Sequence, residues 1–167
     1  MLAYTLLIAA VAIERVAELV VSQRNLTWSM SRGGVEFGAG HYPVMVVLHT
    51  ALLAGCLVEA AHRAFIPALG WPMLAVVIAA QALRWWCIAT LGQQWNTRVV
   101  VVPDAGRVSG GPYRLIPHPN YVAVVIEGVA LPLVHSAWLT ALVFTVLNAL
   151  LLRTRISVEN TALECLA

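Results

Sequence analysis

The sequence predicts an all-α integral membrane protein of about five transmembrane helices, and two observations support this fold class. Hydrophobic residues make up 60% of the 167-residue chain and charged residues only 11%, whereas a soluble domain has about 25% charged residues. The apolar residues are also gathered in long runs, near the ~20 residues that a helix needs to span a bilayer. We therefore expect lipid, and not water, to surround most of the chain.

The apolar runs lie at residues 2–22, 41–61, 69–91, 119–135 and 137–152. Each is long enough, or nearly so, to cross a hydrocarbon core of ~30 Å at ~1.5 Å per residue. The last two are short and meet at a Leu131–Pro132 break, which favours a tight helical hairpin. No sharp change in composition divides the chain, so we expect a single domain over residues 1–167.

The distribution of the arginines predicts the orientation of the chain in the membrane. The loops at 23–40, 92–118 and 153–167 contain seven of them, and the intervening loops contain only Arg63. Positive residues favour the cytoplasmic side, which puts the N-terminus outside and the C-terminus in the cytoplasm. Arginine without any lysine suits a GC-rich bacterial genome, and helical spans then indicate the inner membrane of a bacterium. The seven residues are Arg24, Arg32, Arg98, Arg107, Arg114, Arg153 and Arg155.

Several polar side chains fall inside the apolar runs, all in the predicted cytoplasmic half. A charge in hydrocarbon costs roughly 2.5–3.5 kcal/mol or more, so these groups should face each other or a wet cavity. An internal set of ion pairs and a cavity-lining role both stay open, and the two are compatible. The residues are Glu14, Arg15, Glu18, Arg84, Glu127 and Asn148.

The longest polar segment, residues 91–121, is LGQQWNTRVVVVPDAGRVSGGPYRLIPHPNY. Its valines at 99–102 predict a short extended piece, and its glycines and prolines predict a kinked loop that leads into a helix near Pro119 or Asn120. A helix N-terminus favours a carboxylate or another anion. The polar side chains gathered there predict a small-molecule pocket; they are Tyr113, Arg114, His118, Asn120 and Tyr121.

A second polar segment, residues 153–163, follows the last run and is expected to form a cytoplasmic helix. Arg155 and Glu159 stand four residues apart and would share one helix face. Alone, this pair is typical of a surface ion pair.

The two segments together carry a family resemblance. GPYRLIPHPNY at 111–121 resembles the G-P-Y-R-x-x-R-H-P-x-Y signature of the isoprenylcysteine carboxyl methyltransferase family, and RISVEN at 155–160 resembles its R-I-x-x-E-E signature. The similarity extends to the Leu91-Gly92-x-x-Trp95 stretch and, more loosely, to residues 14–25. The pattern of these segments looks like that of the bacterial branch of the family associated with type III polyketide synthases.

The resemblance implies a methyltransferase that uses S-adenosylmethionine, bound at residues 91–121 and 153–163. It implies catalytic roles for Arg155 and Glu159, with Arg155 close to the acceptor oxygen. The implied cofactor-binding residues are Tyr113, Arg114, His118, Asn120, Tyr121, Glu159 and Asn160, and the candidate substrate-binding residues are Arg15, Arg84, Trp95 and Glu127.

The sequence departs from the signatures at three positions. Pro117 stands where the first signature has Arg, Ala123 where a Gly often follows, and Asn160 where the second Glu is expected. The missing Arg weakens an assignment of carboxylate binding to that position, and Asn160 leaves Glu159 as the sole acidic candidate there.

The implied acceptor is lipophilic, because it must reach a site between a cytoplasmic loop and membrane helices. An alkylpyrone or alkylresorcinol hydroxyl and a prenylcysteine carboxylate are the expected acceptors, with membrane lipid as the surrounding partner. Two alternatives stay open: a phospholipid or amine N-methyltransferase, and a non-catalytic membrane subunit or small-molecule carrier. The scattered arginines argue against nucleic acid, and the histidines and cysteines show no metal-ligand spacing. The oligomeric state is left unassigned.

Overall fold

The computed structural model describes residues 1–103 and 105–165, the last of these by its backbone only. Within them lie the helices α1 (Leu2–Met30), α2 (His41–Ala60), α3 (Pro67–Leu91), α4 (Pro119–Leu133) and α5 (Trp138–Cys165). Two short strands, β1 (Val35–Phe37) and β2 (Val99–Val101), and 3-10 turns at Gly92–Gln94 and Gly111–Arg114 complete the described elements. The prediction of a helical membrane protein is confirmed.

Three helical segments are long and apolar enough to cross a membrane: His41–Ala60, Pro67–Gln94 and Trp138–Glu164. α4 is apolar but has only 15 residues. α1 has 29 residues and carries charged side chains at its centre, at positions 14, 15 and 18. Five spans therefore stay a prediction.

Two helices extend beyond the predicted runs. α1 continues past residue 22 to Met30, and α5 continues past residue 152 to Cys165 as one helix, where we expected a span followed by a separate helix. Residues 153–163 contain neither glycine nor proline, so nothing in them breaks the hydrogen-bond ladder. Arg155 and Glu159 are thereby fixed rigidly to the last span.

The expected hairpin between α4 and α5 is present, but the predicted break at Leu131–Pro132 is wrong, because α4 continues through both residues to Leu133. The turn after α4 closes with a bond from the Ala137 amide to the Pro132 carbonyl at 3.0 Å. The Glu59 carboxylate accepts bonds from the Leu139 and Thr140 amides at 3.1 and 2.8 Å. It therefore caps the start of α5, where backbone N–H groups have no partner within the helix.

The apolar core occupies the end of the bundle near the α4–α5 turn. Buried side chains such as Ile8, Leu52, Val77 and Leu131 meet there. The Tyr4 hydroxyl donates to the Leu131 carbonyl at 3.0 Å. This end is tightly packed, and the open space of the molecule lies at the opposite end.

At the opposite end, β1 and β2 pair in antiparallel register, with Glu36 opposite Val100. The sequence predicted the extended piece at 99–102 but not its partner, because a three-residue strand gives too short a pattern to detect. Arg98 donates to Glu36 at 2.9 Å and lies over the Tyr42 ring, 4.2 Å from its centroid. These contacts fix the polar loop against the start of α2.

Candidate active site

A cavity of about 1000 Å³ lies between the helices and the polar loop, at the upper end of the range for small-molecule sites. All five helices contribute to its lining, together with β2 and the loop that follows it. Of the twelve residues to which the sequence assigned a catalytic, cofactor-binding or substrate-binding role, ten line the cavity: Arg15, Arg84, Trp95, Tyr113, His118, Asn120, Tyr121, Arg155, Glu159 and Asn160.

The loop end of the cavity is organised around the Glu159 carboxylate. The Tyr121 hydroxyl donates to one carboxylate oxygen at 2.5 Å, and His118 Nδ1 lies 3.6 Å from the other. His118 Nε2 lies 3.1 Å from Asn160 Oδ1. The His118 ring also stacks on Tyr121, with centroids 5.4 Å apart. The start of α4 and the end of α5 thus form one polar cluster.

Pro119 explains why His118 stands where it does. Proline is favoured at the first position of a helix because its missing N–H is not needed there, and α4 begins at this residue. His118 is the residue before it, outside the helix, so its ring can turn back over Tyr121 toward Glu159.

The surroundings of His118 favour its protonated form. Both ring nitrogens face oxygen atoms that can accept a hydrogen bond. The nearby Glu159 carboxylate raises the pKa of His118, with partial burial and the charge of Arg107 opposing the rise. A cationic imidazole beside a carboxylate provides contacts for a ligand that carries both signs of charge.

Arg155 lies deeper than this cluster and is 4% exposed. Its Nη2 donates to the Thr97 carbonyl at 2.8 Å. Its Nη1 is buried and has no hydrogen-bond partner in the part of the chain that the structure describes. A buried cation with an unused donor beside a cavity is suited to bind an anionic oxygen.

The polar loop is held to α1 by side chains. Ser22 Oγ lies 2.8 Å from both Asn96 Oδ1 and Thr97 Oγ1. Asn25 donates to the carbonyl of Trp95 at 2.6 Å. These contacts set the position of Thr97, and hence of the Arg155 guanidinium that bonds to it.

A network of ion pairs forms the end of the cavity inside the bundle. Arg84 donates to the two oxygens of Glu18 at 2.5 and 2.8 Å. Arg15 donates to Glu18 and to both oxygens of Glu127 at 2.6 Å. The two interpretations left open for these charges therefore both hold, because the residues pair with each other while Arg15, Glu18 and Arg84 also line the cavity.

A sequence profile described as the isoprenylcysteine carboxyl methyltransferase (ICMT) family matches residues 73–165, which include α4, α5 and the polar loop. The chain is also 35% identical over 162 residues to Uncharacterized protein YpbQ of Bacillus subtilis, with 96% of each chain covered. The chain belongs to the isoprenylcysteine carboxyl methyltransferase family. An Uncharacterized protein of Haemophilus influenzae is 25% identical over 166 residues, which cover 98% of this chain and 96% of that protein.

This family is one of membrane methyltransferases, which agrees with the helical fold and the site. Both relatives match nearly the whole length of the chain, so the similarity includes α1 and α2 as well as the segment that the profile covers. Their names state no substrate, so the acceptor must be inferred from the cavity itself.

Two residues predicted from the sequence lie outside the cavity lining. Arg114 is exposed on the 3-10 turn at Gly111–Arg114. Successive residues of a 3-10 helix point about a third of a turn apart, so Tyr113 faces the cavity while Arg114 faces away. Glu127 directs both carboxylate oxygens at Arg15 and lines only a small adjoining void of about 10 Å³. The geometry gives neither residue a ligand contact.

Sequence reasoning missed part of the lining. Asn96 and Thr97 lie within the polar segment, but only their contacts with Ser22 distinguish them from other loop residues. His49 lies in an apolar run and gave no pattern signal. Across the described residues, no group of three or more His, Cys, Asp or Glu side chains is arranged to hold a metal ion.

Proposed function

We propose that this methyltransferase transfers the methyl group of S-adenosylmethionine to an oxygen of a lipophilic acceptor at the membrane. The observation that carries the proposal is that one cavity joins the His118–Glu159 cluster, the unfilled donor of Arg155 and an apolar interior. The donor is polar and charged, and the acceptor is lipophilic, so one site must offer both environments.

The loop end suits the polar donor. S-adenosylmethionine has a carboxylate, an ammonium group and ribose hydroxyls. Protonated His118 would bind the carboxylate, and Glu159 would bind the ammonium or the ribose. Two further lining residues, Trp95 and Asn120, have buried polar atoms (Nε1 and Oδ1) without a partner in the described part of the chain. The chemistry of this end therefore fits the donor.

The bundle end suits an acceptor with an apolar body. Between the polar groups the lining is aliphatic, with Val16, Leu19, Met45 and Leu53 among its residues. Val16 and Leu19 are 61% and 38% exposed, so the cavity has an apolar edge on the outer surface of α1. This edge supports entry of the acceptor from the bilayer.

When bound, S-adenosylmethionine supplies an activated methyl on a sulfonium, so the protein has to align donor and acceptor. The acceptor oxygen forms the new bond to carbon as the carbon–sulfur bond breaks, leaving S-adenosylhomocysteine. Arg155 Nη1 would stabilise the charge on that oxygen. An acidic enol reaches the site already ionised, whereas a phenol would pass its proton to a base, for which His118 in its neutral form is the candidate.

We further propose a long-chain alkylpyrone or alkylresorcinol hydroxyl as the preferred acceptor, with a prenylcysteine-like carboxylate as the second choice. The loop end and the C-terminus would face the cytoplasm of a bacterial inner membrane, where the arginines concentrate.

Donor binding is tested by calorimetric titration of the detergent-solubilised protein with S-adenosylhomocysteine. We expect saturable binding that weakens by at least about tenfold in Glu159→Gln, because hydrogen bonds to a charged group contribute ~1.5–3 kcal/mol. Glu36→Gln is the matched control, since Glu36 pairs with Arg98 but is not itself part of the cavity lining. Failure of folded wild-type protein to bind would refute the proposal and favour a carrier or a subunit.

The acceptor is tested by transfer of a radioactive methyl group from S-adenosylmethionine to an alkylpyrone, an alkylresorcinol, a prenylcysteine and phosphatidylethanolamine. A base-stable ether from the first two supports the preferred acceptors, and a base-labile ester supports the carboxylate. Labelled phosphatidylethanolamine alone would show an N-methyltransferase instead.

A further inference from the structure

The bundle end of the cavity contains two polar side chains, His49 and Asn148, that neither the donor site nor the ion-pair network uses. Both line the cavity. His49 lies near the middle of α2 and Asn148 near the middle of α5, within two of the segments that are long and apolar enough to span a membrane. Polar groups at such depth are costly, which makes them candidates for a function.

The hydrogen bond of His49 fixes which of its nitrogens is available. Nδ1 lies 2.9 Å from the Met45 carbonyl. A carbonyl can only accept, so Nδ1 carries the proton and Nε2 of the neutral ring is left as an acceptor. The described residues make no hydrogen bond to Nε2.

Asn148 has unused capacity as well. It is 2% exposed, and its Oδ1 is buried without a hydrogen-bond partner among the described residues. An unsatisfied buried polar atom destabilises the fold, and in hydrocarbon no lipid tail can satisfy it. A side chain that lines a cavity can recover this cost by binding a ligand.

His49 and Asn148 lie on two helices that pack against each other, α2 and α5. The His49 ring packs edge-on against the Phe144 ring, with centroids 5.3 Å apart. Phe144 and Asn148 are four residues apart on α5 and therefore share one face. His49 and Asn148 thus reach the cavity from the contact between α2 and α5, His49 beside Phe144 and Asn148 one helical turn further along α5.

Asn148 is well separated from Arg155. It is seven residues before Arg155 on a continuous helix, which corresponds to about 10 Å along the axis. Leu151 and Leu152 line the cavity between them. The cavity therefore has a polar zone at the loop, an apolar zone, and a second polar zone inside the bundle.

The geometry points to a second polar subsite for the acceptor, formed by His49 Nε2 and Asn148, which binds a hydroxyl group about 10 Å from the oxygen that is methylated. This inference rests on the proposed function and specifies its acceptor: a lipophilic molecule with a further hydrogen-bond donor on its body, not a plain hydrocarbon tail.

The chemistry of the subsite favours an uncharged donor. His49 Nε2 accepts, and the Asn148 amide can accept through Oδ1. The neighbouring arginines are paired with Glu18 and Glu127, which neutralises their charge, and Arg84 Nη1 keeps one donor without a hydrogen-bond partner in the described part of the chain. A hydroxyl can donate to one residue and accept from the Asn148 NH₂ group.

The test compares two long-chain 4-hydroxy-2-pyrones that are identical except for one hydroxyl on the alkyl chain, placed about 10 Å from the ring hydroxyl. Their affinities for the detergent-solubilised protein are measured by calorimetry without any methyl donor. We expect the hydroxylated pyrone to bind wild type about tenfold more tightly, as one well-placed hydrogen bond allows. Asn148→Leu and His49→Phe should each remove that preference.

Thr50→Val is the matched control. Thr50 lines the same cavity, but its hydroxyl already donates to the Val46 carbonyl at 2.9 Å, so the preference should persist. Unchanged binding of S-adenosylhomocysteine by each variant reports an intact fold and donor site.

Equal affinity of wild type for the two pyrones, or no binding of either, would overturn the subsite, as would a preference that survives in Asn148→Leu. These outcomes are distinct from a failure of the proposed function, which appears as loss of S-adenosylhomocysteine binding by wild type.

Discussion

Two polar clusters border the same cavity, and they differ in how completely protein cations neutralise their carboxylates. Glu18 is bonded by Arg15 and Arg84 at 2.5 to 2.8 Å. Glu159, at the loop end, has a tyrosine hydroxyl at 2.5 Å and a histidine nitrogen at 3.6 Å. Two arginines therefore neutralise the first carboxylate within the protein, while the second has capacity left for a ligand.

The comparison teaches that burial and charge alone do not mark a binding site in a membrane protein. Both clusters looked alike in sequence, as acidic residues near arginines. What separates them is how completely arginines pair with the carboxylate, which depends on contacts between helices. Substitutions in the ion-pair network should therefore affect stability. Substitutions at the loop end should affect ligand binding or catalysis.

The largest stability effect is expected from Glu18→Ala. Removing one member of a buried ion pair leaves Arg84 uncompensated and should cost about 3–5 kcal/mol in the free energy of unfolding. Denaturant titration in detergent, followed by circular dichroism, measures this. In the control Glu36→Ala, a partly exposed pair with Arg98 is lost, and the cost should stay below about 1 kcal/mol. Equal losses would show that burial of the Glu18 ion pairs adds nothing to stability beyond a partly exposed pair.

Arg155→Lys should act on catalysis. A lysine keeps the charge but cannot reproduce the planar fork that spans Thr97 and the cavity. We expect kcat to fall by about 10²–10³, as for removal of a preorganised oxyanion donor, with S-adenosylhomocysteine affinity little changed. Arg153→Lys, two residues away and exposed, is the control for methyl-transfer assays. Parallel loss of donor affinity would instead place Arg155 in the donor site.

The pH dependence of donor binding should report on His118. Its pKa is raised, chiefly by Glu159, so the imidazolium persists above the ordinary value of about 6.5. A raised folded-state pKa stabilises the fold below the unfolded value, and this contribution disappears as pH rises through the folded value. The affinity of the protein for the carboxylate of the methyl donor should fall over the same range of pH. Calorimetry across pH should show a flatter profile for His118→Gln; an identical profile would exclude His118 as the titrating group.

The smallest effect is expected from Arg114→Ala. Because Arg114 is exposed and does not line the cavity, its removal should change stability by no more than about 0.5 kcal/mol and leave S-adenosylhomocysteine affinity unaltered. Tyr113→Ala is the adjacent comparison, since Tyr113 does line the cavity. Burial raises the pKa of the Tyr113 hydroxyl, which keeps it protonated as a hydrogen-bond donor. If Arg114→Ala loses affinity for S-adenosylhomocysteine, Arg114 would bind the cofactor as the sequence predicted.

Much of the fold followed from local patterns. Residue composition predicted the membrane class, and Pro119 predicted where α4 begins, because proline restricts helix geometry wherever it occurs. The lengths of α1 and α5 were underestimated because hydrophobicity marks the stretch that lipid favours, whereas a helix continues until a residue interrupts its hydrogen bonds.

The sequence by itself determined that the chain is apolar and helical, and which polar residue types its loop contains. Only the tertiary structure decided that Tyr113 faces the cavity and Arg114 does not. It also decided that both carboxylate oxygens of Glu127 are bonded to Arg15, and that His49 and Asn148 line one cavity. The physical reason is that a side chain's capacity to bind a ligand is what remains after its neighbours are satisfied, and those neighbours come from helices far apart in the chain.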